Sequence, residues 1–169
     1  MTIAKMRENA KGIMLTAILY KETQIDRSIS SLNTKQLKKF RKELSTSIKR
    51  LKRLVDNKKI KNTDIRWEIS NLSKRTGVTI GQSQKVINVY LKFYCLILNK
   101  PQKIIEELDC PLDSVIMKKR QTMNGIKTMN EYEEWQNRLG GKDKIKLLSD
   151  LKWDNERIRN FRNPKRKRS

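Results

Sequence analysis

Between residues 81 and 98 the chain reads GQSQKVINVYLKFYCLIL, and as a helix this run carries apolar side chains in nearly every direction. Val86, Ile87, Val89, Leu91, Phe93, Tyr94, Leu96, Ile97 and Leu98 leave one narrow polar stripe, formed by Gly81, Lys85, Asn88 and Lys92 with Gln84 on its border. A helix of that kind has to be wrapped by other elements, so residues 82–98 are expected at the centre of the domain. Asn88 and Lys92 interrupt the run, and it falls short of the roughly 20 apolar residues that cross a bilayer, so no membrane span is expected.

The wrapping elements are also expected to be helices. Ile3, Met6, Ala10, Ile13 and Ala17 recur at steps of three and four, which predicts an amphipathic first helix ending near Tyr20. Leu37, Phe40, Leu44, Ile48, Leu51 and Val55 predict a longer second one, capped by Asn33 or Thr34. Ile65, Ile69 and Leu72 predict a third, capped by Asn62 or Thr63 and stopped by Gly77. After the central helix, the pattern predicts a short helix over 102–108, a turn at 109–114 opening into another helix to about Met117, and a loop over 122–128. A helix over 131–139 and a last one over 143–161 follow. No segment alternates with period two, and the 169 residues contain six glycines and three prolines, so the fold is expected to be all-α. The expected architecture is a compact bundle of about six to seven helices around the central one, a single domain over 1–161 with a basic tail over 162–169.

Charge is the strongest global signal. Forty Lys and Arg oppose 18 Asp and Glu, a net +22 that draws the protein toward polyanions. It is clustered: residues 35–61 hold twelve basic side chains against Glu43 and Asp56, and 157–169 hold seven with no acid. Lys38, Lys39, Arg41, Lys42, Lys49, Arg50, Lys52 and Arg53 can follow a phosphate backbone, each neutralised phosphate releasing a counterion. Lys165, Arg166, Lys167 and Arg168 in the tail form a second clamp. Trp67, Trp135 and Trp153 do not interleave with these blocks in the pattern of a single-strand stacking platform, and most of them are expected to pack in the core or at its rim.

The chain has no histidine, and Cys95 and Cys110 are too few for a zinc site, so no metal and no cofactor are expected. Both thiols read as small buried hydrophobes, with a disulfide between them left open. The first twenty residues carry Lys5, Arg7, Glu8 and Lys11 and lack a clean apolar core, so no secretory signal and a cytoplasmic location are expected, nucleoid-associated if DNA is bound.

Lys85 sits in the first turn of the central helix, where the helix dipole disfavours a cation and favours an anion such as a phosphate beside the amides after Gly81. A lysine among apolar neighbours is also a candidate nucleophile, whereas the alternative is a stripe in which Lys85 and Lys92 reach out to water around Asn88. The stretches TGVTIGQSQKVINVYLK and CPLDSVI resemble a group of prokaryotic proteins, of no established activity, that share a Gly-Gln-x-Gln-Lys-x-Ile-Asn helix and a downstream Pro-x-Asp-Ser. More distantly, residues 76–116 are similar to helix-hairpin-helix DNA glycosylases of the archaeal oxoguanine branch, although the Leu-Pro-Gly-Val-Gly hairpin is absent here. That resemblance implies a hairpin at Gly77 and Gly81, a catalytic lysine at Lys85 that forms a Schiff base, and an aspartate partner at Asp113.

The function expected from these features is nucleic-acid binding, DNA ahead of RNA, in a protein of prokaryotic or viral origin. Gly81 and Lys92 are counted among the contacts beside the basic helix and tail. A base-excision glycosylase or lyase using Lys85 and Asp113 is the second expectation, and a helical module for a protein partner the third.

Overall fold

In the computed structural model, described for residues 32–118, 120–140, 145–147, 150 and 151 and for 11, 12 and 14, five α-helices and one 3-10 turn are bounded, with no strand among the described residues. The all-α expectation holds. The predicted helix over 3–20 lies outside the described residues except for helical residues 11, 12 and 14, and that over 143–161 except for 145–147, 150 and 151.

Helix α1 is Thr34–Asp56 and begins in a capping box: the Gln36 amide donates to Asn33 Oδ1 at 2.9 Å, and the Asn33 amide donates back to Gln36 Oε1. Phe40, Leu44, Ser47, Leu51 and Val55 are its buried stripe. Helix α2, Asn62–Thr76, starts one residue earlier than the sequence predicts, with Lys61 as cap and Asp64 Oδ2 receiving the Lys61 amide at 3.0 Å. The expected capping residue Asn62 is occupied elsewhere, since its amide and side chain both donate to Glu107. Gly77 closes α2 at φ +77°, a left-handed conformation that glycine adopts without a Cβ clash.

Helix α3, Ile80–Ile97, is the apolar run, and 13 of its 18 residues are buried, which puts it at the centre as expected. It contacts α1, α2 and every bounded element that follows. It starts two residues before the predicted position because Thr79 and Gln82 form a second capping box, the Gln82 amide donating to Thr79 Oγ1 at 3.1 Å and the Thr79 amide to Gln82 Oε1 at 2.8 Å. Each aliphatic side chain it buries stabilises the fold by about 1.5–3 kcal/mol, so this helix supplies much of the hydrophobic driving force.

Helix α4 is only Gln102–Ile105, and the predicted helix beyond Asp113 is a single turn. There Asp113 Oδ1 accepts the Val115 and Ile116 amides, and Lys118 turns left-handed at φ 52°, which ends the coil after one revolution. A 3-10 turn, Met123–Gly125, occupies the predicted loop. Helix α5, Met129–Gly140, begins where Glu131 receives the Lys127 and Thr128 amides and Thr128 Oγ1 receives that of Glu131.

The 3-10 turn lies directly on the start of α3. The Gly81 amide donates to the Ile126 carbonyl at 2.9 Å, and a Cβ on Gly81 would sit 1.7 Å from the Met123 carbonyl oxygen. Backbone, not a yielding side chain, fills that space. Gly81→Ala is therefore expected to destabilise the protein by about 1–3 kcal/mol, as overpacking does, read as a fall in the urea midpoint. An unchanged midpoint would mean that the turn does not press on α3.

Candidate functional site

Two regions carry the predicted site residues, the outer face of α1 and the polar stripe of α3. On α1, Lys38, Lys39, Arg41, Lys42, Lys49, Lys52 and Arg53 are all exposed. With the Phe40 to Val55 stripe turned inward, Lys38, Lys42, Lys49 and Arg53 fall on the opposite side of the helix, a ridge on an element about 34 Å long. Both α1 acids are engaged by cations of other elements: Glu43 by Arg75 at 3.3 Å and Asp56 by Lys100 at 2.8 Å. Among the described residues, Lys38, Lys39, Lys42, Lys49 and Arg53 have no acidic partner. Lys52 lies over the Tyr94 ring at 5.7 Å.

Arg50 differs from its neighbours. It is half-buried, donates to Glu68 Oε1 at 3.1 Å, and stacks over the Trp67 ring at 4.1 Å from its centroid. Its charge is committed to Glu68, a buried carboxylate, so Arg50 joins α1 to α2 instead of adding a free cation to the ridge.

The middle of the α3 stripe, Gln84, Lys85 and Asn88, faces the segment 109–113. Gln84 Nε2 donates to the Leu112 carbonyl at 2.8 Å and its Oε1 accepts the Leu112 amide at 3.1 Å. Gln136 of α5 makes the same pair of bonds to Cys110, 2.7 Å to the carbonyl and 2.9 Å from the amide. Pro111 between them has no N–H, so these two side chains satisfy every backbone donor of residues 110–112. Asn88 joins the Gln84 clamp to Tyr132, its Nδ2 donating to Gln84 Oε1 at 3.1 Å and to the Tyr132 hydroxyl at 2.9 Å.

Asp109 anchors the front of this segment. Its side chain is fully buried and accepts from Lys146 at 2.6 Å, from the Tyr132 hydroxyl at 2.9 Å and from Arg66 Nε at 3.2 Å. Burial and the adjoining carboxylate push the Tyr132 phenol well above its ordinary range, which keeps it a donor to Asp109. Burial works against the Arg66 guanidinium, but Asp109 outweighs it and the net shift is upward.

Two expected phosphate contacts are therefore corrected. The Gly81 amide is taken by Ile126, and the adjacent Gln82 amide by Thr79, so neither is left for a phosphate. Lys92 is buried and pairs with Asp150 at 2.5 Å, an internal bridge. Lys165, Arg166, Lys167 and Arg168 lie outside the described residues. Lys85 and Asp113 do meet: Nζ to Oδ2 is 3.0 Å, with side chains 13% and 24% exposed, so this end of the stripe alone reaches the surface. Cys95 and Cys110 are separate buried thiols, not a disulfide, and burial raises both, Cys95 to about 12, which leaves them unreactive.

Compared with protein-family models, curated proteins and solved structures, the chain finds no match in any of the three.

Asp109 and Asp113 separate scaffold from surface. Asp109→Asn takes the carboxylate from Lys146 and leaves Arg66 only Glu133, and is expected to cost on the order of 3 kcal/mol, whereas Asp113→Asn keeps an oxygen for the turn amides and costs about 1 kcal/mol or less. Denaturant unfolding of both variants checks this. Equal costs would contradict the assignment.

Proposed function

We propose that the protein binds nucleic acid through the outward face of α1. The observation that supports this most is the row of exposed cations without acidic partners, when both acids of the helix are drawn to cations of other elements. Lys35 with Lys39, Lys38 with Lys42, and Lys49 with Arg53 are like charges four residues apart, each pair costing a helix about 0.2–0.5 kcal/mol. A phosphate backbone laid along the ridge converts that repulsion into attraction and adds the entropy of released counterions. Such contacts position the ligand without reading its bases, so the expected binding is salt-sensitive and weakly sequence-dependent. DNA is favoured over RNA by the glycosylase resemblance.

A second reading rests on the 3.0 Å approach of Lys85 to Asp113 at the surface end of the α3 stripe. In a base-excision lyase, Asp113 would take a proton from the Lys85 ammonium. The free amine would then add to the C1′ aldehyde of an abasic sugar and expel its oxygen as water, leaving a Schiff base. The same aspartate also holds the Val115 and Ile116 amides, which is sufficient reason for its place in the fold.

Lys38→Glu with Lys49→Glu tests the first reading without endangering the fold, because each substitution puts a carboxylate four residues before a cation. Binding to a labelled oligonucleotide, measured across a salt series, is expected to weaken at least 10-fold, with the slope of log affinity on log salt falling by about 2. An unaltered slope would overturn the ridge as the interface. For the second reading, borohydride is expected to trap the wild type, and not Lys85→Ala, on DNA holding an abasic site; an untrapped wild type eliminates it.

A further inference from the structure

Among the described residues, Trp67 is the one exposed aromatic side chain, and it stands beside the basic ridge. It lies on the outer side of α2, away from the buried Ile65, Ile69 and Leu72, and remains 49% exposed. The guanidinium of Arg50 covers one part of the ring at 4.1 Å, and Arg50 is itself fixed by the buried carboxylate of Glu68. The indole is thus braced from one side and open to solvent over about half its surface, although a ring of that size ordinarily contributes to stability by being covered. Helical spacing supplies the surroundings: Arg53 and Thr46 are one turn either side of Arg50 on α1, and Lys74 is two turns beyond Trp67 on α2. All three are exposed. An open aromatic face flanked by unpaired cations is the pattern that receives a base on the ring and its phosphates on the charges.

We propose that Trp67, braced by Arg50, is a stacking platform for an unpaired base, so that the α1 ridge takes single-stranded nucleic acid in preference to duplex. This rests on the ridge being the interface. A duplex keeps its bases stacked on one another and offers the indole only sugar and phosphate. A single strand running along α1 can turn a base outward onto the ring while its neighbours remain on Lys42, Lys49 and Arg53. Arg50 serves as a positioning residue here: it holds the ring and is occupied by Glu68, so its role is orientation and cation–π polarisation, not phosphate contact.

The test compares a single-stranded oligonucleotide, a duplex of the same sequence, and a base-free sugar-phosphate strand of the same length, with the wild type, Trp67→Ala and Trp67→Phe. The wild type is expected to bind the single strand roughly 10-fold or more tightly than the base-free strand, since a stacked base contributes that order of affinity. Trp67→Ala is expected to remove this difference while changing binding to the base-free strand by less than about 2-fold, and Trp67→Phe to retain most of it. The base-free strand makes the wild-type comparison independent of how any variant folds. Equal wild-type affinity for the single strand and the base-free strand overturns the platform, and so does a Trp67→Ala protein that still discriminates between them. If Lys38→Glu with Lys49→Glu leaves all binding unchanged, the ridge itself fails and the platform with it.

Discussion

Two glutamine side chains hold this fold together at its least regular point. Residues 109–113 form an irregular strap, buried as far as Leu112, with no sheet or helix to satisfy their backbone. Gln84 and Gln136 supply that missing partner from two different helices, each pairing with a residue as a neighbouring strand would. An unpaired buried amide or carbonyl costs about 1–3 kcal/mol, so losing either clamp would forfeit more than the bonds themselves are worth. Asp109, buried and neutralised by Arg66 and Lys146, fixes where the strap begins, and Lys85 with Asp113 marks where it returns to the surface. The central helix is therefore apolar on most sides and polar on one because it has a polar strap to carry.

That division leaves α1 with little to do inside the molecule beyond its Phe40 to Val55 stripe and the Arg50 bridge to Glu68. Its lysines oppose one another along the helix, and its acids are turned to other helices. Each i,i+4 repulsion is small beside the burial of Phe40, Leu51 or Val55, so packing keeps the helix formed while its outer face remains uniformly positive. A surface of that kind contributes nothing to folding, and its charge acts outward. Trp67 and Arg50 stand at the join between α1 and α2, where the ridge meets an open aromatic ring.

Much of this was legible in the sequence. The all-α fold, the central position of the 81–98 run and the inward stripe of α1 follow from apolar spacing, which burial enforces strongly. The Thr79 and Gln82 capping box, which the apolar pattern does not register, sets the start of α3 two residues before the predicted position. Helical spacing defines the stripe of Gly81, Lys85, Asn88 and Lys92 but not the direction it faces. Whether a lysine on such a stripe reaches water or a buried aspartate depends on Asp113 and Asp150, 28 and 58 residues downstream. The sequence after Asp113 predicts a helix because nothing local announces that Lys118 will turn left-handed. The open setting of Trp67 is not legible in sequence, because its neighbour Arg50 lies 17 residues away and becomes adjacent only when α1 and α2 fold back on each other. The Lys61 cap is not legible in sequence, because Asn62 is the better capping residue by type and its commitment to Glu107 arises only in the fold.

The central claim is that the lysines of α1 face a polyanion while those of the central helix serve the interior. Lysine acylation followed by mass spectrometry, with and without a saturating oligonucleotide, measures both halves at once. The account predicts that Lys38, Lys39, Lys42 and Lys49 label readily in the free protein and are protected when the oligonucleotide binds, with Lys92 unlabelled in both states. Labelling of the α1 lysines that is indifferent to the oligonucleotide, or ready labelling of Lys92 in the folded protein, would contradict it.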